Sequence, residues 1–312
     1  MRQGAFETNT GQIKMAEHGI LLIENPAHLK IDTGRLCIER SNQPVVFILP
    51  EDIDVLCLHH PVITISFAAL QTLTEAGTVI LLTDTRHQPL GMLYPLKTHA
   101  RQSLRLRQQI KLEQTDYPSR LWQHIIQVRI QSQAATLRAL RAKGALYLER
   151  LSPKVKPGDK SNHEGQATRH YWKHLFEQKF RRTKQGAQDG INSKLNFGYA
   201  VLRSLIARQL AVMGLNLGLG IGHRSSENPF NLADDFIEPY RYLVESCVAT
   251  MDKETLDKPM KGESKRKLLS FVTHTVPMHD GDYRLTGAVE ATIDSYCRIL
   301  DGRGKRLQLP AL

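Results

Sequence analysis

Five ionisable residues sit where their types and spacing suit metal chemistry: Glu164, His223, Asp234, Asp235 and Glu238. Glu164 falls in the first turn of a predicted helix, His223 follows a glycine-rich turn, and the three acidic residues share the next helix. Residues 234 and 238, or 235 and 238, are spaced to share one helix face. Pro239 offers no N–H to the carbonyl of residue 235, so a kink is expected beside them. Hard divalent cations take carboxylate oxygens, and Mn²⁺ tolerates an imidazole better than Mg²⁺ does. A Glu, His, Glu set therefore suits a Mg²⁺ or Mn²⁺ centre for phosphoryl transfer. Such a cation lowers the pKa of an attacking hydroxyl and neutralises charge on the phosphate oxygens. Spacing alone leaves a plainer account open, because acids near a helix start are often dipole partners and a lone histidine is seldom a ligand.

Three other motifs carry no chemistry. Gly218-Leu219-Gly220-Ile221-Gly222 follows a predicted helix instead of a strand, and its third glycine comes too early for a dinucleotide loop. His163-Glu164 lacks the second histidine of a zinc helix, since Ala stands at 167. His59-His60 precedes Pro61, where a turn or a satisfied polar pair accounts for both.

The elements that must position these residues divide near residue 95. Short apolar runs separated by turn residues, at Gly19 to Glu24, Leu29 to Cys37, Val45 to Leu49, Val55 to Leu58 and Val79 to Leu82, predict a β-rich region. Asp32-Thr33-Gly34 reads as a hairpin turn, and one helix is expected over Ser66 to Ala76, stopped by Gly77. Beyond Pro95 the spacing becomes helical. Helices are predicted over His99 to Gln114 and Pro118 to Leu148, then from Glu164, capped by Asn162, to about Phe180. Tyr199, Leu202, Ile206, Leu210 and Met213 form an apolar stripe closed by Gly214, with Arg203 and Arg208 off it. Asn228-Pro229 should start the next helix, and two more are expected near Ser264 to Phe271 and Ala288 to Leu300. The lysine-bearing stretch Ser152 to Asn162 reads as an exposed loop, either solvated or in contact with phosphate. The expected class is α+β: a small β-rich domain over 1–95, then a larger all-α domain over 96–312 that holds the site.

Composition bounds the partners. With 42 Lys and Arg against 31 Asp and Glu in 312 residues, the formal charge is +11, which suits a polyanion such as nucleic acid, although many basic proteins bind none. Hydrophobic residues make up 41%, enough for one large core or two moderate ones. Cys37, Cys57, Cys247 and Cys297 form no CxxC pair, so free thiols in a reducing compartment are expected. The polar N-terminus lacks a signal-peptide core and no apolar run approaches the roughly 18 residues of a membrane span, so a soluble cytoplasmic protein is expected.

Two longer motifs then bring in a resemblance. Leu195-Asn196-Phe197-Gly198-Tyr199-Ala200-Val201-Leu202, Gly214-Leu215-Asn216, Gly218 to Arg224, and Asn231-Leu232-Ala233-Asp234-Asp235-Phe236-Ile237-Glu238-Pro239-Tyr240-Arg241 closely resemble the signature of the CRISPR-associated integrase family of the adaptation stage. Glu164-Gly165 with Ala167, Arg169, Tyr171 and Trp172 resembles that family's other motif, E-G-x-A-x-R-x-Y-W. The wording looks more like the version found in type II CRISPR systems.

The resemblance implies that Glu164, His223 and Glu238 hold Mg²⁺ or Mn²⁺, with Asp235 in support. Many relatives carry Asp where Glu238 stands, and some a second histidine where this chain has Gly222. The implied reaction is attack by the 3′-hydroxyl of a captured DNA fragment on a phosphodiester at the edge of a CRISPR repeat. The implied partners are double-stranded DNA, a second copy of the chain and a small adaptation protein, with the β-rich domain serving dimerisation and docking. Arg181, Arg182, Lys184, Arg224 and Arg241 are candidate DNA contacts, and no membrane is implied. A metal nuclease that cuts without joining, and a non-catalytic DNA scaffold, are the alternatives.

Overall fold

The computed structural model describes residues 6–7, 13–14, 19–83, 89–95, 101–176, 180–183, 190–257 and 263–312. Strands β1 (Phe6–Glu7), β2 (Ile13–Lys14), β3 (Ile20–Ile23), β4 (His28–Asp32), β5 (Arg35–Glu39), β6 (Val46–Ile48), β7 (Val55–Leu58), β8 (Thr64–Ile65), β9 (Val79–Thr83) and β10 (Pro89–Leu93) form two sheets, with helix α1 (Phe67–Glu75) between β8 and β9. One sheet runs β10-β9-β7-β3-β1-β2 and the other β6-β5-β4-β8. The expected turn lies at Thr33 (φ 46°) and Gly34 (φ 78°), and two successive positive φ angles suit a tight hairpin joining β4 to β5. Ser66 caps α1 by accepting from the Ala69 N–H at 3.2 Å.

In the larger sheet β3, β7 and β9 are parallel neighbours, and β3 is buried at all four residues because both faces are covered. Leu21 and Ile23 face a small core shared with Leu29, Ile38 and Ile48 of the second sheet and Leu73 of α1. Ile20 and Leu22 face the other way, into the core that the helices build.

Those helices are α2 (Gln102–Glu113), α3 (Tyr117–Ala139), α4 (Ala145–Leu151), α5 (His163–Leu175), α6 (Gly190–Val212), α7 (Asn231–Ile237), α8 (Arg241–Ala249), α9 (Lys253–Asp257), α10 (Glu263–Leu269) and α11 (Leu285–Leu300). The α+β class is as the sequence implies. α6 is the central helix: its stripe widens until Lys194, Asn196 and Ser204 are buried too. The off-stripe arginines pair outward, Arg203 with Asp234 at 2.8 Å and Arg208 with Asp54 of the β-rich region at 3.0 Å. Lys265 also crosses between the two regions, 2.9 Å from Glu24 and 3.0 Å from His59. His59 is thus a buried polar residue with the Lys265 ammonium at its Nδ1.

Several expectations change. The helix predicted through Leu148 breaks after Ala139, where Arg141 (φ 54°) and Gly144 (φ 100°) turn the chain back. A Cβ on Gly144 would lie 2.7 Å from His170 Nε2, so the tight α4–α5 contact requires glycine. The helix expected to reach Phe180 ends at Leu175, and Phe180 instead packs on Phe176, with ring centroids 4.8 Å apart. The helix expected from Asn228-Pro229 starts at Asn231, because the Asn228 side chain accepts from the Phe230 N–H at 3.1 Å in a local turn.

The kink at Pro239 is a 3₁₀ turn, Glu238–Tyr240, that separates α7 from α8. The Ser152 to Asn162 stretch holds two 3₁₀ turns, with Val155 and Asp159 buried and Lys154, Lys156 and Lys160 exposed. A hairpin of β11 (Thr275–Met278) and β12 (Gly281–Arg284) interrupts the helical region, where no strand was expected. All four cysteines are buried free thiols, and no described helix is long and apolar enough to cross a membrane.

Because one sheet face belongs to the helical core, the β-rich and helical regions are expected to melt together. Leu22→Ala should cost about 2–5 kcal/mol and shift one calorimetric transition. Two separated transitions, with only one shifted, would contradict that coupling.

Candidate metal centre

Glu164 stands at the start of α5, and two other side chains cap that helix. Buried Asp159 accepts the N–H groups of His163 and Glu164, both at 2.9 Å, and Asn162 accepts that of Gly165 at 2.9 Å. These bonds satisfy three orphan donors of the first turn and leave the Glu164 carboxyl for other work. Both caps hold positive φ angles, 44° and 51°, which Asp and Asn adopt more readily than most residues. Asn162 was legible as a cap, whereas Asp159 lies five residues before Glu164 and was not.

His223 is fixed by Asp235. The fully buried Asp235 accepts from the backbone N–H of Ile221, Gly222 (3.2 Å) and His223 (2.9 Å), and from His223 Nδ1 at 2.8 Å. Both carboxylate oxygens are thus used as acceptors, so Nδ1 carries the imidazole proton and the Nε2 lone pair is left available. Burial pushes the Asp235 carboxyl up, opposed by the bonds from His223 and the turn. The bond to Asp235 in turn holds the His223 pKa above its ordinary value.

The turn that carries His223 needs its glycines. A Cβ at 220 would overlap the carbonyl of His223 and approach Asp235, and one at 222 would overlap the Trp122 ring. Trp122 also meets the His223 ring edge-on at 5.4 Å, so a histidine at 222 would have no room here. From α2, the Gln109 amide brackets Asn216, donating to its carbonyl at 3.0 Å and accepting from its N–H at 2.9 Å, which fixes the entry to the turn.

Glu238 is buried beneath two guanidinium groups. Arg241 Nη1 lies 2.8 Å from its Oε1 and Arg129 Nε 3.4 Å from its Oε2. Behind them the fully buried Glu245 takes a bidentate bond from Arg129, at 2.8 and 2.5 Å, and a hydroxyl bond from Tyr199 at 2.6 Å. Burial pushes the Glu245 carboxyl up, but Arg129, Arg241 and Tyr199 outweigh that and hold it below its ordinary value. Sequence reading missed Arg129 and Glu245, since neither lies in a charged motif and their pairing spans more than a hundred residues of chain.

The fold brings Glu164, His223 and Glu238 into one electrostatic neighbourhood. Burial raises the Glu164 pKa and the Glu238 charge raises it further, while His223, Arg241 and Arg129 pull it down. Two carboxylates and an imidazole with a free Nε2 are a chemically apt donor set for Mg²⁺ or Mn²⁺. Among the described residues no three such side chains form a ready-closed metal cluster, and each Glu238 oxygen meets one arginine.

Asp234 stays outside the group, bound to Arg203 and to Asn228 Nδ2 at 2.7 Å. Of the candidate DNA contacts, Arg181 and Arg224 are exposed, while Arg182 bonds Asn192 and Asn196 at 2.9 and 2.6 Å. Arg241 is spent on Glu238, a structural partnership instead of an open one, and Lys184 lies outside the described residues.

Fold and site together define a carboxylate–imidazole centre on a helical scaffold joined to a β-rich region. The family described as CRISPR associated protein Cas1 matches residues 20–265. A CRISPR-associated endonuclease Cas1 of Neisseria meningitidis serogroup C (strain 8013) is 32% identical over 298 residues, 94% of this chain and 95% of its own. The chain belongs to the Cas1 family of CRISPR-associated proteins. Among solved structures, a casposase bound to integration product superposes with a TM-score of 0.77 at 17% identity, covering 93% of this chain and 92% of that one. A Cas6-RT-Cas1–Cas2 complex superposes at 0.75 and 19% identity, covering the whole of this chain and 38% of that one.

The raised Glu164 pKa makes a stability prediction. A carboxyl whose pKa is higher when folded stabilises fully below its unfolded value, and that contribution is lost as pH rises through the folded value. Without divalent cations, Glu164→Gln should therefore melt a few degrees above wild type at pH 7, with the gap closing toward pH 4. A variant that melts below wild type at pH 7 would contradict the charge crowding inferred for the site.

Proposed function

We propose that this Cas1-family chain is a divalent-cation-dependent DNA integrase of CRISPR adaptation. The observation that carries the reading is the buried Asp235, which engages His223 Nδ1 and leaves Nε2 unspent, in a ring close enough to Glu164 and Glu238 for their charges to act on one another. Membership of a family whose relative is named an endonuclease, and a fold shared with a casposase bound to integration product, support it.

Glu164, His223 Nε2 and Glu238 would hold Mg²⁺ or Mn²⁺. That cation supplies Lewis-acid stabilisation of charge on the phosphodiester. Asp235 keeps the Nδ1 proton on its own side of the ring, so His223 offers one lone pair in a fixed direction. Arg129 and Arg241 hold Glu238 and bring positive charge beside a polyanionic substrate. Trp122 packs edge-on against the His223 ring and supports it from one side.

In the joining reaction the 3′-hydroxyl oxygen of a captured fragment forms a new bond to phosphorus at the edge of a repeat, and the strand it displaces leaves with its own 3′-hydroxyl. The partners on this reading are double-stranded DNA, a second copy of the chain and a small adaptation protein, as the Cas1–Cas2 complex among the structural neighbours suggests. Of the candidate DNA contacts, Arg181 and Arg224 are exposed and would be open to the DNA backbone. Water in place of the hydroxyl would make the same centre a nuclease, the activity in the relative's name.

The test is strand transfer with purified protein, its small partner, a labelled DNA fragment and a repeat-bearing plasmid in Mn²⁺ or Mg²⁺. His223→Ala is expected to lose joining by at least about 100-fold, the scale on which removal of a charge-stabilising group acts, while DNA binding is retained. Joining by the variant would sink the metal triad. Cleavage without joining by the wild type would leave the nuclease, and wild-type biological function in alanine variants would leave the scaffold.

A further inference from the structure

The arginines against Glu238 are themselves met from behind by a fully buried carboxylate, Glu245. Arg129 is 2% exposed at its side chain and Glu245 is fully buried. Buried ion pairs are poor sources of stability, and apolar replacements of the same shape often do as well. The geometry gives this pair another use. A guanidinium is a rigid plane, so fixing one edge fixes the other. Arg129 gives both Nη groups to Glu245 and its Nε edge to Glu238, at 3.4 Å.

Arg241 binds Glu238 through Nη1 at 2.8 Å and meets Glu245 only as a longer charge pair, Nε at 3.7 Å. Tyr199 completes the device. Its hydroxyl donates to Glu245 Oε1, and its ring lies under the Arg241 guanidinium at 4.4 Å. One carboxylate therefore aligns the Arg129 plane directly and the Arg241 plane by charge and through Tyr199, and each guanidinium meets one oxygen of a second carboxylate.

We propose that Glu245 is a positioning residue of the metal site, acting on Glu238 through Arg129 and Arg241. The inference rests on the reading of Glu238 as a ligand. Two consequences follow from the charges. Glu238, gripped at both oxygens, keeps one direction relative to His223 and Glu164 instead of sampling several. Glu245 also cancels one of the two arginine charges, so that the four groups sum to zero beside the place a dication must enter. Without Glu245 the same place would face an unbalanced cationic pair. The site's acceptance of a cation is thus set two residues deep, on α8, about two turns beyond Glu238.

The experiment is a Mn²⁺ titration of the full-length chain followed by electron paramagnetic resonance, with circular dichroism and thermal melting run alongside. It compares wild type with Glu245→Gln, Arg129→Lys, Tyr199→Phe and Glu164→Gln. Folded Glu245→Gln should bind Mn²⁺ about 10–100-fold more weakly, the range seen when outer-shell partners of a metal are altered. Arg129→Lys keeps the charge but loses the fork, and should weaken binding as well.

A purely structural ion pair predicts lower melting temperatures with wild-type Mn²⁺ affinity in the folded variants, and that result would overturn the proposal. Tyr199→Phe removes a single hydroxyl, so it serves if Glu245→Gln fails to fold. A smaller loss of affinity is expected there, and wild-type affinity again overturns the proposal. Undiminished Mn²⁺ binding by Glu164→Gln would overturn the metal-site reading itself, an outcome distinct from undiminished binding by Glu245→Gln alone.

Discussion

A carboxylate with no exposure to water has to find all its partners inside the protein, and Asp235 finds four in a single turn and its histidine. An uncompensated charge at that depth would cost several kcal/mol. The turn from Gly218 to His223 therefore has one low-energy arrangement, the one in which its N–H groups converge on Asp235. That requirement dictates the rest: glycine at 220 and 222, Trp122 against the turn, Gln109 clasping Asn216, and a histidine whose protonated nitrogen faces inward.

Around that anchor the charges are arranged in tension. Glu164 and Glu238 repel each other in a partly buried setting, and the arginines that relieve Glu238 are balanced by Glu245. Such crowding costs stability, which proteins accept where function requires it. A dication followed by a phosphodiester would relieve it in two steps, first the carboxylate repulsion and then the positive excess left by the cation. The α5 caps belong to the same economy of partners, because Asp159 and Asn162 satisfy the helix end without spending Glu164.

Much of this was legible in the residues. The hairpin at Thr33-Gly34, the Ser66 and Asn162 caps and the α6 stripe follow from local rules, since each depends on neighbours within a few positions. The motif around His223 and Glu238 carried the site because its glycines, histidine and acids are adjacent in sequence. Reading failed where partners are remote. Arg129 of α3 meets Glu245 of α8 with four helices between them in the chain, and nothing local marks either. The break at Arg141 to Gly144 looked helical in composition, and its glycine answers to a φ of 100° and to the approach of His170. Helix α2 inverts the usual rule. It buries Arg105 and Gln109, which bind Asp301 and Asn216, and exposes Leu104, Leu106 and Ile110, so its apolar spacing gave the element but not its inward face. The order of strands was unreadable for the same reason, because β3, β7 and β9 lie side by side only after two crossovers.

The central claim is that one divalent cation is shared by His223 Nε2, Glu164 and Glu238. Anomalous diffraction from crystals grown with Mn²⁺, at a concentration that supports DNA cleavage or joining, tests it most directly. The account predicts a Mn²⁺ peak bonded to His223 Nε2 and to an oxygen of each glutamate, with Asp235 bound to Nδ1 and not to the metal. A Mn²⁺ peak bonded to Asp234 or Asp235 instead, or no peak at these residues in catalytically competent crystals, would contradict it.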